Sequence, residues 1–352
     1  MEHLRRYQRV ASVARPPRGS HGQDAHATAD VVPTLHDEAN RTVSRTLAEA
    51  VSVIIVNYNT VDDLRRCLKS LPDVPTVVVD NASSDGSGAM VRQEFPHVAL
   101  LQSFVNRGFG RACNEVLPHC TTDYALILNS DIEVTPGAIE RLVQVMEDNP
   151  RAVACGGQLV YLDSSLQPSC AERLTLWQVF LEQSGLSKLF PQSRFLGSYF
   201  MTWWDHSSTR PVEQVMGACL MLRRGPDGEF PLFDPRFFLY CEDTEICHRL
   251  RERGEILYVH DAVFRHALGA SGRASRAEMV SLYNRGKELY FLIHRGRMAA
   301  IACRLLATMG ALLRLPLGLV RPEKGRVFLR VLRDCLTLPL GYQPDAGMRP
   351  PQ

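Results

Sequence analysis

From residue 51 onward, short β-rich apolar runs alternate with segments whose apolar residues recur at helical spacing, which confines the chain to the α/β class. VSVIIVNYN (51–59) is the near-continuous apolar run that a strand buried on both faces requires. VDDLRRCLKSL (61–71) has the spacing of a helix, and PTVVVDNASSDGS (75–87) is a second strand that runs into a polar loop. Strand, helix, strand implies a parallel sheet.

The pattern continues through the strand HVALLQS (97–103), the loop NRGFG, a helix near RACNEVL and the strand DYALILNSD (123–131). PGAIERLVQVMEDN (136–149) reads as a helix with Pro136 in its first turn, and RAVACGGQLVY (151–161) returns to the sheet. A less regular stretch, 162–213, holds the only tryptophans, Trp177, Trp203 and Trp204. VMGACLMLRR (215–224) and GEILYVHDAVFRH (254–266) are further strands, and EDTEICHRLRERG (242–254) is a helix closed by Gly254.

The chain divides into three segments. Residues 1–48 are Arg-, His-, Pro- and Ser-rich without apolar period and read as a disordered tail, a transit peptide or an over-long translated start. Residues 49–295 form one domain. Residues 296–352 form a helical, basic extension, in which the longest run without charge, Leu305 to Leu313, is shorter than the roughly 17 residues a membrane span needs. Arg297, Arg304, Arg314, Arg321, Lys324, Arg326, Arg330 and Arg333 suit an amphipathic helix lying on anionic lipid; a helical pair covering the sheet's flank is the alternative.

With 40 Lys and Arg against 38 Asp and Glu, net charge +2, nothing global favours a nucleic-acid partner. The ten cysteines include no CxxC pair, and Cys67, Cys113, Cys155, Cys219 and Cys247 sit alone in apolar segments, so they read as free thiols of a reducing cytosol. No glycine follows VSVIIV, which excludes a dinucleotide-binding GxGxxG turn there, and no GxxxxGK[ST] exists.

Ligands of open α/β sheets bind beyond the carboxyl ends of the strands. Three such ends here are polar: Asn57 to Asn59, Asp80 to Ser84, and Asn129 to Asp131. Together they describe a cleft for a polar ligand, although each alone suits a turn or a helix cap.

VSVIIVNYNT, VVVDNASSDGS, NRGFGRACNEV, LILNSD, GACLMLRR and FDPRFFLYCEDTEICHRLRERG follow one another in an order that resembles the family 2 glycosyltransferases, with greatest similarity to their rhamnosyltransferase-like branch. The resemblance covers roughly residues 50 to 295. It implies the GT-A fold, a Rossmann-like nucleotide-diphospho-sugar transferase domain with a mostly parallel central sheet, carrying here C-terminal amphipathic helices. It also implies an inverting hexosyltransferase that moves a sugar, with rhamnose foremost, from dTDP-rhamnose or a UDP-sugar to a glycan or lipid-linked saccharide acceptor in cell-envelope polysaccharide biosynthesis. Its site would be cytoplasmic, peripheral on the inner face of the membrane. A non-catalytic nucleotide-sugar-binding scaffold of a polysaccharide assembly complex is the alternative.

Residue by residue, the resemblance assigns Val56, Asn57 and Tyr58 to the border of the donor base and ribose, and Asp80 to a hydrogen bond with one of them. Asn106, Gly108 and Asn114 would shape the loop and helix beside the diphosphate. Asn129-Ser130-Asp131 is similar to the family's DXD element with Asn in the first position, so Asp131 would anchor Mg²⁺ or Mn²⁺ against the leaving diphosphate. His266 would complete that metal site, with Ser271, Gly272, Arg273 and Arg276 near the diphosphate. Asp243 would be the base that deprotonates the acceptor hydroxyl, with Glu242 positioning the acceptor. At a helix start, Glu242, Asp243 and Glu245 also suit the helix dipole. Phe237, Phe238, Tyr240, Trp203 and Trp204 are acceptor-side candidates.

Overall fold

The computed structural model describes residues 45–267 and 276–344. The chain separates into two units after Thr46, and all the strands and helices named here belong to the unit that begins at Leu47. The expected disordered tail falls, up to residue 44, outside the described residues, as do Ser271, Gly272 and Arg273.

The strands are β1 Val51–Asn57, β2 Thr76–Asp80, β3 Ala99–Gln102, β4 Tyr124–Asn129, β5 Ile132–Val134, β6 Ala152–Val160, β7 Leu166–Gln167, β8 Cys170–Ala171, β9 Arg210–Val212, β10 Gln214–Val215, β11 Cys219–Arg223 and β12 Glu255–His266. The main sheet runs β3-β2-β1-β4-β11-β6-β12-β5, with β7 on β6 and β9 on β12. Pairs β1–β2, β1–β4, β2–β3 and β6–β12 are parallel, and β11 is antiparallel to both β4 and β6. The sheet is therefore the mostly parallel one expected. Val51, Val53, Ile54 and Ile55 are fully buried, which is why β1 reads as an unbroken apolar run.

The longer helices are α1 Val61–Ser70, α2 Ser87–Glu94, α3 Phe109–Asn114, α4 Ala138–Asp148, α5 Leu176–Ser184, α6 Glu242–Leu250, α7 Arg276–Arg314 and α8 Pro322–Thr337. One correction concerns α4: it starts at Ala138 after Gly137 at φ +80, so Pro136 precedes the helix. The run VMGACLMLRR is two strands separated by Met216-Gly217-Ala218 rather than one.

One core lies between the sheet and α1, α2 and α4; a second gathers Val179, Tyr199, Phe237, Tyr290, Phe291 and Cys303 beneath α5 and α7. Helix α7 bends at Gly296 (φ +79, ψ 177), where the domain was expected to end. By length and composition α7 could cross a membrane. Its first half is instead packed into the second core, and Arg304 beyond the bend closes an ion pair on buried Glu288 at 2.7 Å. All ten cysteines are free, nine of them buried, and burial pushes the Cys67, Cys113 and Cys219 thiols up.

Candidate active site

Strands β1, β2 and β4 end side by side, and parallel register sets Asn57 opposite Asp80 and Val56 opposite Asn129. Asn57 is fully buried and ties the three ends together. Its Nδ2 donates to Asp80 Oδ1 at 3.3 Å and Ser83 Oγ at 3.1 Å, while its Oδ1 accepts from Thr60 Oγ1 at 2.6 Å. Thr60 Oγ1 lies 2.7 Å from Ser130 Oγ. Asp80 also accepts from the Ser83 amide and from Gln102 Nε2, so the carboxylate is fixed in place before any ligand arrives. Val56 and Tyr58 are half-buried at the same strand end.

Asn106, Gly108 and Asn114 shape the adjoining loop through internal contacts. Asn106 Oδ1 accepts from the Gly108 amide and from Asn81 Nδ2, both at 2.9 Å. Gly108 has φ +84, and a Cβ there would lie 2.1 Å from the Phe238 carbonyl oxygen, so only glycine fits. Asn114 spends both ends of its amide on the Phe233 backbone, at 2.9 Å each. It is thus a clamp between α3 and the FPLFDP segment.

Asp131 and His266 are brought together by β5, a strand that sequence reasoning missed. Antiparallel pairing sets His266 opposite Ile132, and the Ala267 amide donates to the Asp131 carbonyl at 3.2 Å. Both side chains are buried, with His266 Nε2 3.2 Å from Asp131 Oδ1, yet that oxygen has no hydrogen-bond partner. Asn129 Nδ2 lies 3.5 Å from the same Nε2. A buried carboxylate oxygen left without a proton donor and facing an imidazole nitrogen fits a hard divalent cation. Two cis donors at about 2.1 Å from such an ion lie about 3 Å apart. Among the described residues no group of three or more His, Cys, Asp and Glu is placed to hold an ion, so other oxygens must fill the remaining positions.

Gln167, on β7, is a site residue that sequence reasoning missed. Its amide atoms lie 3.0 and 3.2 Å from His266 Nδ1. With Gln167 Oε1 accepting from Nδ1–H, the Nε2 lone pair points to the Asp131 side. No periodic signal marks a two-residue strand, and only its pairing with β6 reveals the role.

Asn129, Gln167, Gly217, Tyr240, Asp243 and His266 line one cavity of about 570 Å³, and Glu242 borders it too. Asp243 is held by two backbone donors, Gly217 N at 3.0 Å and Thr244 N at 2.7 Å. Burial nevertheless raises its carboxyl, with those two bonds working the other way. Glu242 is buried, its Oε2 has no partner, and burial together with the neighbouring Asp243 charge pushes it up to about 8. The pair sits at the start of α6, entered through Tyr240 (φ +70) and Cys241 (φ +67), two consecutive left-handed residues. Such strain is kept where the surroundings impose it. Gly286 of α7 makes room for it here, because a Cβ at Gly286 would lie 2.6 Å from the Tyr240 carbonyl oxygen.

The other aromatics divide. Tyr240 lines the cavity, whereas Phe237 and Phe238 are core side chains. Trp203 and Trp204 do not line it: Trp204 stacks on His206 with ring centroids 4.5 Å apart, and Arg194 and Arg210 cover the two indoles.

Residues 52–203 match the family model described as Glycosyl transferase family 2. The chain is 29% identical over 245 residues to the N-acetylglucosaminyl-diphospho-decaprenol L-rhamnosyltransferase of Mycobacterium tuberculosis, covering 64% of this chain and 79% of that protein. It is 24% identical over 216 residues to the low-salt glycan biosynthesis hexosyltransferase Agl10 of Haloferax volcanii, covering 59% and 64%. Among solved structures, the mannosyltransferase PcManGT from Pyrobaculum calidifontis in complex with GDP-Man and Mn²⁺ superposes with a TM-score of 0.48 at 15% identity, over 95% of this chain and 94% of that one.

Proposed function

We propose that this chain, a family 2 glycosyltransferase, carries out a metal-dependent, inverting transfer of rhamnose or a related hexose from a nucleotide-sugar donor to a lipid-linked saccharide. The reading rests on one observation more than any other: His266, whose Nε2 lies 3.2 Å from Asp131 Oδ1, lines the same cavity as Asp243 and the buried acid Glu242. A module that only binds nucleotide-sugar has no use for a carboxylate base beside a cation site.

Asp131 and His266 would hold Mg²⁺ or Mn²⁺, which when bound supplies positive charge to the departing diphosphate. Asn57, Asp80 and Ser130 preorganise the end of β1 for the nucleoside. Asp243 accepts the proton of the acceptor hydroxyl as that oxygen attacks the anomeric carbon, and its two backbone donors fix the direction of its lone pairs. Glu242, protonated near neutral pH, adds no second negative charge to the cavity.

Residues 49–295 would carry this chemistry and 296–352 would dock the membrane. In support, Leu312, Leu313, Leu317, Leu319 and Val320 are all more than half exposed, and the exposed Arg321 and Arg326 lie beside them. The donor and acceptor classes follow the Mycobacterium tuberculosis relative, named for rhamnosyl transfer to N-acetylglucosaminyl-diphospho-decaprenol.

A panel of nucleotide-sugars tests the reading, with release of nucleoside diphosphate measured with and without acceptor. Acceptor-dependent release from one donor, abolished by chelator, is the expected result. Donor binding with no turnover in folded protein would overturn it.

A further inference from the structure

The catalytic cavity has a neighbour. Tyr199, Phe200, Thr202 and Tyr283 form a wall shared with a second, larger cavity of about 730 Å³, which runs between α5, α7 and α8. Both volumes fall in the roughly 300–1,000 Å³ range of sites that enclose small molecules. The second is lined largely by apolar side chains, including Val280, Ala307, Ala311, Leu317 and Phe328. Its charges are one-sided. Lys188, Arg276, Arg314 and Lys324 border it, whereas its one lining carboxylate, Glu182, is neutralised by buried Lys287 at 3.0 Å.

An apolar groove with cationic walls, next to the cavity that holds the base and sharing Tyr199, Phe200, Thr202 and Tyr283 with it, matches an amphiphile with an acidic linkage and a long aliphatic chain. Leu317 belongs both to the groove and to the exposed apolar surface with Leu313, Leu319 and Val320, so the groove reaches the face that would meet a bilayer.

We propose that this groove is the acceptor-tail site: the saccharide lies in the catalytic cavity, the phosphate linkage against the cationic walls, and the aliphatic chain between α5, α7 and α8. The assignment rests on the lipid-linked acceptor of the proposed function and adds the place where the lipid binds.

The test uses the full chain and two acceptors with one saccharide diphosphate head, carrying either a two-carbon ester or a long isoprenoid chain. Wild type is expected to favour the long chain in kcat/KM by roughly tenfold or more. Val280→Asp and Phe328→Asp, checked for folding by circular dichroism, are each expected to bring that ratio near one, because a groove carboxylate repels both tail and phosphate. Should both variants fail to fold, inhibition of the wild type decides. Dodecyl phosphate should compete with the long-chain acceptor and spare the short one, whereas inorganic phosphate or dodecanol alone should compete far less.

A wild type without chain-length preference overturns the lipid-acceptor reading and this site with it. A preference retained in both folded variants, or dodecyl phosphate competing equally with both acceptors, overturns the groove alone. So does a wild-type dimer that Phe328→Asp dissociates with the preference intact, since a second copy would then be the occupant.

Discussion

His266 Nε2 lies 3.2 Å from Asp131 Oδ1, in a buried contact created by the pairing of Ile132 with His266 across β5 and β12. Neither residue alone makes a cation site. Together they offer one carboxylate oxygen and one imidazole nitrogen 3.2 Å apart.

Asp131→Asn and His266→Ala are each expected to weaken Mn²⁺ binding by at least about tenfold, measured by calorimetry with nucleoside diphosphate present. Turnover should fall in parallel. Wild-type affinity in both variants would remove the pair from the cation site.

Gln167→Leu leaves Asp131 and His266 in place and removes the partner of His266 Nδ1. The expected outcome is a Mn²⁺ affinity lowered about 10-fold or more, with a changed tautomer balance of His266 in ¹⁵N spectra of the metal-free protein. Gln167→Glu should restore the Nδ1–H acceptor and part of the affinity. An unchanged spectrum would make Gln167 a packing residue only.

Asp243→Asn keeps the shape of the side chain and removes its basicity. Acceptor-dependent transfer is expected to fall roughly 10²- to 10⁴-fold while donor Kd stays within about twofold. Loss of donor binding instead would assign Asp243 to the donor.

Glu242 gives a stability signature. Its carboxyl stands at about 8 in the folded protein against an ordinary 4.5, so the native state keeps a proton that the unfolded chain releases. The stabilisation is full below about pH 4.5 and is lost as pH rises toward 8. Glu242→Gln, neutral throughout, should match wild type at pH 4.5 and exceed its Tm by a growing margin up to pH 8. A Tm difference that does not vary with pH would contradict the buried, protonated state.

Gly286→Ala places a methyl against the Tyr240 carbonyl and must shift the left-handed Tyr240–Cys241 turn. A cost of about 1–3 kcal/mol in stability is expected, with kcat reduced more than donor affinity because Glu242 and Asp243 start the next helix. Thermal melts and steady-state kinetics check both parts.

Much of the fold was legible in the chain itself, because burial on two faces demands unbroken apolar runs. β1, β2 and β4 announce themselves this way, and the polar residues ending these three strands mark the ligand side of the sheet. The resemblance then named Asp131 in LILNSD, Asp243 in YCEDTEICHRL and His266 in VFRH as candidates. What a linear pattern does not contain is pairing. β5 and β7 are three and two residues long, too short for any period, yet they set Ile132 opposite His266 and bring Gln167 to its ring. Strain and close approach are equally silent in sequence: Tyr240, Cys241 and Gly286 look ordinary until α7 folds back onto the start of α6. Local propensity and amphipathic period wrote the elements, whereas the meeting of Asp131 with His266, and of the catalytic cavity with the apolar groove, was decided by contacts between residues far apart in the chain.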